Sequence, residues 1–136
     1  MYRINFCYKL RNAEELGIQA TVDVAVPEIL NIEIVDIVTI IGNLLDNAIQ
    51  AMLKTKQERS LFLKVFFTKG RLIIAVRNTF DGKVNYQNGK IITSKKELNH
   101  GHGLKNIENA LKRYNGSMRL DHDAMIFSVD AMLYVP

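Results

Sequence analysis

From about Ile34 to Leu53 the chain carries its longest periodic segment, and this segment limits the possible folds more than any other feature. At 100° per residue, Ile34, Ile37, Val38, Ile41, Leu44, Leu45, Ala48, Ile49 and Met52 cover more than half of a helical wheel. A helix that apolar must be laid against a broad partner surface, and the strand-like segments supply one. Residues 18–24 (Ile-Gln-Ala-Thr-Val-Asp-Val) alternate apolar and polar, as a strand with one wet face does. Residues 61–67 and 71–77 predict two strands joined as a hairpin at Thr68-Lys69-Gly70, and 117–121 and 125–135 predict two more. Ile4, Cys7, Leu10 and Glu14 mark a first helix stopping at Gly17, and Leu104, Ile107, Leu111 and Tyr114 a last one closing at Asn115-Gly116. Hairpins separated by helices favour an α+β architecture with the helices on one face of a mixed sheet.

The 136 residues suit a single domain, 1–136, with room for a core that needs no disulfide or metal. One cysteine, Cys7, excludes a disulfide framework and fits a small buried hydrophobe in a cytosolic setting. A net charge of +4 suits an anionic ligand and is too small to demand nucleic acid or a membrane. The run Ile37 to Gly42 is far shorter than the roughly 18 residues of a membrane helix, and the amino terminus has no signal-peptide pattern. The chain opens inside a helical pattern, so the expectation is a piece of something longer.

The polar stripe of the long segment is unusual. It holds Asp36, Thr39, Asn43, Asp46, Asn47, Gln50 and Lys54, where a solvated face would carry Lys, Glu and Arg. Asn, Asp and Thr each cost several tenths of a kcal/mol in a helix interior. Asn43 and Asn47, at i and i+4, aim two short amides at one place, which suits a cation's water shell or a polar ligand. Gly101-His102-Gly103-Leu104 stands before the last helix, where free helical amides and close backbone approach suit phosphate. His100 and His102 lack the partners of a zinc site. Residues 79–100 have no period and predict a lid or binding loop, opened by Asn78 at a strand end and bent at Gly82, with Lys95 and Lys96 as possible phosphate contacts.

Three pieces in this order are more specific than any one. Ile41-Gly42-Asn43-Leu44-Leu45-Asp46-Asn47-Ala48-Ile49 resembles the N box of the ATPase domain shared by histidine kinases, gyrase, Hsp90 and MutL. Asn78 to Gly82 takes the place of the first glycine box, and His100-Gly101-His102-Gly103-Leu104 resembles the second. The resemblance runs from Ala20 to Val135 and is strongest to the catalytic domains of peptide-sensing (Agr-type, NatK-like) bacterial sensor histidine kinases, on Asn78 to Lys83 and Thr93 to Ile107. It implies the Bergerat fold: a two-layer α/β sandwich with a mixed, mostly antiparallel sheet covered on one face by about three helices. It implies ATP and Mg²⁺ as ligands, with Asn47 coordinating Mg²⁺, Asn43 supporting the phosphates and Asn78 receiving the adenine amino group. Gly82, Gly101, His102, Gly103 and Leu104 complete the ATP site, and Lys95 comes down with the lid. The chain departs from most such kinases in having Asn78 for Asp, Phe80 for the middle glycine, and Gln50 and Ala51 after the N box. These departures bear on ATP affinity.

Members of that superfamily that activate water or a serine place Glu four residues before the magnesium Asn, as a general base. This chain has Asn43 there, which fits an acceptor that already has a lone pair, a histidine. The resemblance therefore implies a protein-histidine kinase whose acceptor lies on a separate dimerisation and phosphotransfer domain, residues 1–16 being the end of a helix from it. It further implies a response-regulator partner, a homodimeric parent anchored in the bacterial cell membrane, and a cytoplasmic position for this domain without direct membrane contact. Nucleic acid is not an expected partner, because the sequence shows no interleaved aromatics. The competing expectation is a non-catalytic interaction or phosphotransfer scaffold of the same fold.

Overall fold

The computed structural model describes residues 7–28, 30–87, 90–92 and 102–135. In chain order the elements are α1 (Cys7–Glu15), β1 (Ile18–Ala25), α2 (Ile34–Leu53), β2 (Arg59–Thr68), β3 (Arg71–Thr79), β4 (Asn85–Gln87), β5 (Lys90–Ile92), α3 (His102–Lys112), β6 (Ser117–His122) and β7 (Ile126–Tyr134). Five strands form one sheet in the order β1-β2-β3-β7-β6. Only β1 and β2 are parallel; they are joined through α2, as a crossover requires. The other pairs are antiparallel. This is the expected α+β sheet with helices on one face.

Alternation along the central strands makes the sheet two-sided. Leu61, Leu63 and Val65 of β2, Leu72, Ile74 and Val76 of β3, and Val129, Ala131 and Leu133 of β7 are all buried and lie in register on the helix-bearing face. Ile37, Ile40, Ile41, Leu44, Leu45, Ala48 and Met52 of α2 and Ile107, Ala110 and Leu111 of α3 join them in one core. Each large side chain fully buried there is worth about 1.5–3 kcal/mol. β1 is an edge strand, and only its Ile18 is fully buried.

The opposite face of the sheet carries aromatic and basic side chains. Folding gathers Phe62 across from Arg77, Phe66 across from Ile73, and Tyr134 across from Arg71. Aromatic and basic side chains are thus interleaved in space although they are far apart in sequence. Several of the cations are engaged within the face: Lys64 Nζ lies 5.1 Å from the Phe66 ring centre, and Arg77 pairs with Asp130 at 2.8 Å.

Two further details differ from the sequence reading. The segment 79–100 contains a small separate hairpin, β4 with β5, pairing Asn85 with Ile92 and Gln87 with Lys90. Three-residue strands are too short to show a period, although the Asn88-Gly89 dipeptide between them is a strong hairpin signal. The other difference concerns α2. Asp36 is 3% exposed while Val38 and Ile34 are 42% and 43% exposed, the reverse of the wheel assignment. Positions two apart on a helix differ by 200°, so turning Asp36 inward turns both neighbours out.

Gly116, after α3, is required by packing: a Cβ there would run into Met132 O and come within 3.0 Å of Leu111 Cδ2. Gly116→Ala is therefore expected to lower unfolding free energy by about 1–3 kcal/mol in urea titration. A change under about 0.5 kcal/mol would show that the turn can shift freely.

Candidate functional site

Asn78 occupies the helix-bearing face near the end of β3, directly across from Leu61 of β2 and Phe127 of β7. It is 3% exposed. Its amide nitrogen donates to Thr79 O at 3.0 Å, which fixes the orientation of the amide. No described residue donates to its Oδ1. A buried acceptor without a donor is uncommon in native proteins and marks a place where a ligand can complete the bonding.

Two amides of α2 share the face toward which the sheet turns Asn78. Asn43 and Asn47 are half-buried, at the border between the packed stripe and solvent. Asn43 donates its amide nitrogen to Thr39 O at 2.7 Å, and Thr39 donates its hydroxyl to Val35 O at 2.7 Å. One N–H of Asn43 is therefore spent on its own helix, and its second N–H and its oxygen remain for a ligand. The oxygen has the sign to meet a cation or its water, and the second N–H has the sign to meet a phosphate oxygen. Asp36 leaves the proposed ligand stripe altogether, since its carboxylate is bonded to Arg113 and Tyr114. Among the described residues there is no cluster of three or more His, Cys, Asp or Glu able to hold a metal ion.

After Asn78 the chain is tied to the β6–β7 turn. Phe80 N donates to Met125 O at 3.0 Å, and Phe80, 8% exposed, meets Phe127 and His122 edge-on with centroids 5.7 and 6.0 Å away. His122 stacks on Phe127 at 6.3 Å. Gly82 has φ +80°, and a Cβ there would lie 2.8 Å from Ala124 O. Its glycine is thus accounted for by contact with this turn, without any ligand. Sequence reasoning missed the aromatic group, because Phe80, His122 and Phe127 meet only through strand register.

Of the other expected site residues, His102, Gly103 and Leu104, which the sequence reading places before the last helix, are instead the first three residues of α3. Lys95 and Gly101 lie outside the described residues, as do positions 88, 89 and 93–100 of the lid, Lys96 and His100 among them.

A family model described as GHKL domain matches residues 32–134, well over half of the sequence. The chain belongs to the GHKL domain family. Its fold is that of histidine-kinase catalytic domains. The catalytic domain of histidine kinase ThkA matches with a TM-score of 0.72 and 12% identity, over 95% of this chain and 86% of that one. The Acinetobacter baumannii histidine kinase AdeS matches at 0.65 and 12%, over 98% and 68%, and the mycobacterial sensor histidine kinase MprB at 0.62 and 12%, over 95% and 91%. Identities this low speak for the fold alone. No curated protein sequence matches the chain.

The β6–β7 turn, against which Phe80 and Gly82 rest, has its own acidic brace. The Asp123 carboxylate accepts from the Met125 and Ile126 amides, both at 2.7 Å, and these bonds hold its pKa below the ordinary carboxylate value. A carboxyl with a depressed folded-state pKa adds stability at neutral pH that is lost as pH falls through that value, here below about pH 4. Asp123→Ala at pH 7 should therefore speed amide hydrogen exchange at Met125 and Ile126. Wild-type protein should show the same acceleration in acid, beyond the intrinsic effect of pH. Equal protection in variant and wild type at pH 7 would remove the carboxylate from this role.

Proposed function

We propose that this chain is the ATP-binding catalytic domain of a two-component sensor histidine kinase, donating the γ-phosphoryl group of ATP to a histidine on a separate domain. The observation that carries the reading is Asn78, a buried amide held by Thr79 O whose oxygen has no donor among the described residues. An exocyclic amino group of adenine supplies the missing donor. The residues present also fit a magnesium ion: Asn47, with the free oxygen of Asn43 one turn away, would hold it or its waters, and the ion would neutralise phosphate charge. Backbone amides at the start of α3 suit the phosphates. Gly101 and Lys95 have the chemistry to join them.

The chain's own residues explain the choice of acceptor. Asn43 cannot remove a proton, so a water or serine nucleophile would be unassisted, whereas a neutral imidazole attacks with its own lone pair. His122 is not that acceptor, because it ends β6 and is stacked on Phe127. In this reading α1 continues an upstream dimerisation helix, the parent is a membrane-anchored homodimer with this domain in the cytoplasm, and a response regulator takes the phosphoryl group onward.

A second reading has one observation in its favour. Phe80 stands where the first glycine box has a glycine, and it is packed into the β6–β7 turn. A scaffold that no longer binds nucleotide would tolerate that packing.

Binding separates the two readings. Mg-ADP at a hundred times its Kd stabilises a folded protein by about 2.7 kcal/mol, so Tm should rise by several degrees. Asn47→Ala should fold within about 0.5 kcal/mol of wild type, as border positions usually do, and lose the magnesium-dependent part of the shift. No shift at saturating millimolar nucleotide favours the scaffold. For the kinase reading, incubation with γ-labelled ATP should leave this chain unlabelled, and adding the cognate dimerisation domain should give acid-labile phosphate on that domain. Stoichiometric acid-labile phosphate on this chain alone would contradict the assignment of the acceptor.

A further inference from the structure

The carboxylate of Asp36 is the most deeply buried charged group among the described residues, and neither the nucleotide reading nor the sequence stripe accounts for it. It lies in the first turn of α2. Its Oδ1 accepts from Arg113 Nη1, and its Oδ2 accepts from the Tyr114 hydroxyl at 2.5 Å. That hydroxyl in turn accepts from the amide of Glu33, the residue capping α2, at 2.9 Å. Arg113 and Tyr114 lie just past α3, and Tyr134 N of β7 donates to Tyr114 O at 3.0 Å. Burial and the bond to Asp36 raise the pKa of Tyr114, so the hydroxyl stays a donor at neutral pH. One end of α2 and the residues just past α3 thus meet at a single carboxylate, and the backbone of Tyr114 ties that junction to β7.

We propose that Asp36 is a positioning residue for the nucleotide: it fixes the angle between α2 and α3, and with it the gap between Asn43 and Asn47 on one helix and the phosphate-facing start of the other. This rests on the nucleotide reading above. The buried side chains that both helices otherwise contribute to the shared core, Ile37 and Ile41 on α2 and Ile107 and Leu111 on α3 among them, are apolar, and apolar contact is non-directional. Packed helices joined that way can slide or tilt. Asp36 is eleven residues from Asn47, about 16 Å along the helix, and α3 runs a similar distance from Lys112 back to His102. A tilt of roughly 10° at the clamp moves the far end of either helix by about 3 Å, whereas a binding constellation tolerates about 0.5 Å. Charge-assisted bonds at the clamp supply the directional restraint that the apolar contact lacks.

Positioning and mere stability are told apart by comparing two ligands. Adenosine uses the base-recognising Asn78 on β3 and makes no demand on the gap between the helices; Mg-ADP needs both. Asp36→Asn and the milder Tyr114→Phe are titrated with each ligand by calorimetry, at a temperature where circular dichroism shows the folded state. Asp36→Asn is expected to weaken Mg-ADP about tenfold while adenosine stays within about twofold, with Tyr114→Phe between it and wild type. If Asp36→Asn does not fold, Tyr114→Phe decides by the same comparison. Unchanged Mg-ADP affinity in a folded variant, or an equal loss for both ligands, overturns the positioning role while leaving wild-type nucleotide binding in place. A wild-type protein that binds neither ligand overturns the nucleotide reading and the clamp with it.

Discussion

The rotational phase of α2 determines most of what this fold can do. Nine positions of the helix face inward, from Asp36 to Met52, and seven of them are apolar side chains pressed on the sheet and on α3. Once they are inward, every other position on the helix is set at 100° per residue. Asn43 and Asn47 then fall at the lip of the packed stripe, half-covered, where a short amide can serve a ligand held between the helix and the sheet. A core position adjoins each of them, Leu44 beside Asn43 and Ala48 beside Asn47, where an unpaired amide would cost a few kcal/mol.

Much of this was legible in the sequence because long elements average out local noise. All five strands of the main sheet, the three helices among the described residues and the hairpin at Lys69-Gly70 can be read from periodicity and from glycine. Asn43 and Asn47 stand out because short amides are not what a solvated helix face carries, whereas Asn78 at a strand end is singled out only by the family resemblance. Asp36 was misplaced for the same reason that the method works elsewhere: a wheel sorts residues by polarity, and a carboxylate taken inward by an arginine and a tyrosine some 77 and 78 positions later looks like any other polar residue. Strand register hid the rest. Phe80, His122 and Phe127 come together, and Phe62 comes to face Arg77, only because β3 and its neighbours pair as they do.

The first glycine box shows how one substitution is accommodated. Phe80 has found cover against the β6–β7 turn, and Gly82 has kept its glycine because that turn comes close, so the segment is held by packing from below. Asp123 braces the turn with two backbone bonds. The aromatic side chain and the turn form one unit next to Asn78, so the shape of the space beside that buried amide is set as much by β6 and β7 as by the box itself.

β3 and β7 are neighbours in the sheet, yet everything between Thr79 and Ile126, including β4, β5 and α3, lies between them in sequence. The excursion is therefore a closed loop whose two ends are already pinned side by side. The entropy of closing such a loop grows only with the logarithm of its length, and doubling the length costs about 0.6 kcal/mol. Insertions and deletions between Phe80 and the start of α3 are consequently nearly neutral for the sheet. This is the part of the chain whose length can diverge among descendants of one ancestor while the core beneath it stays the same.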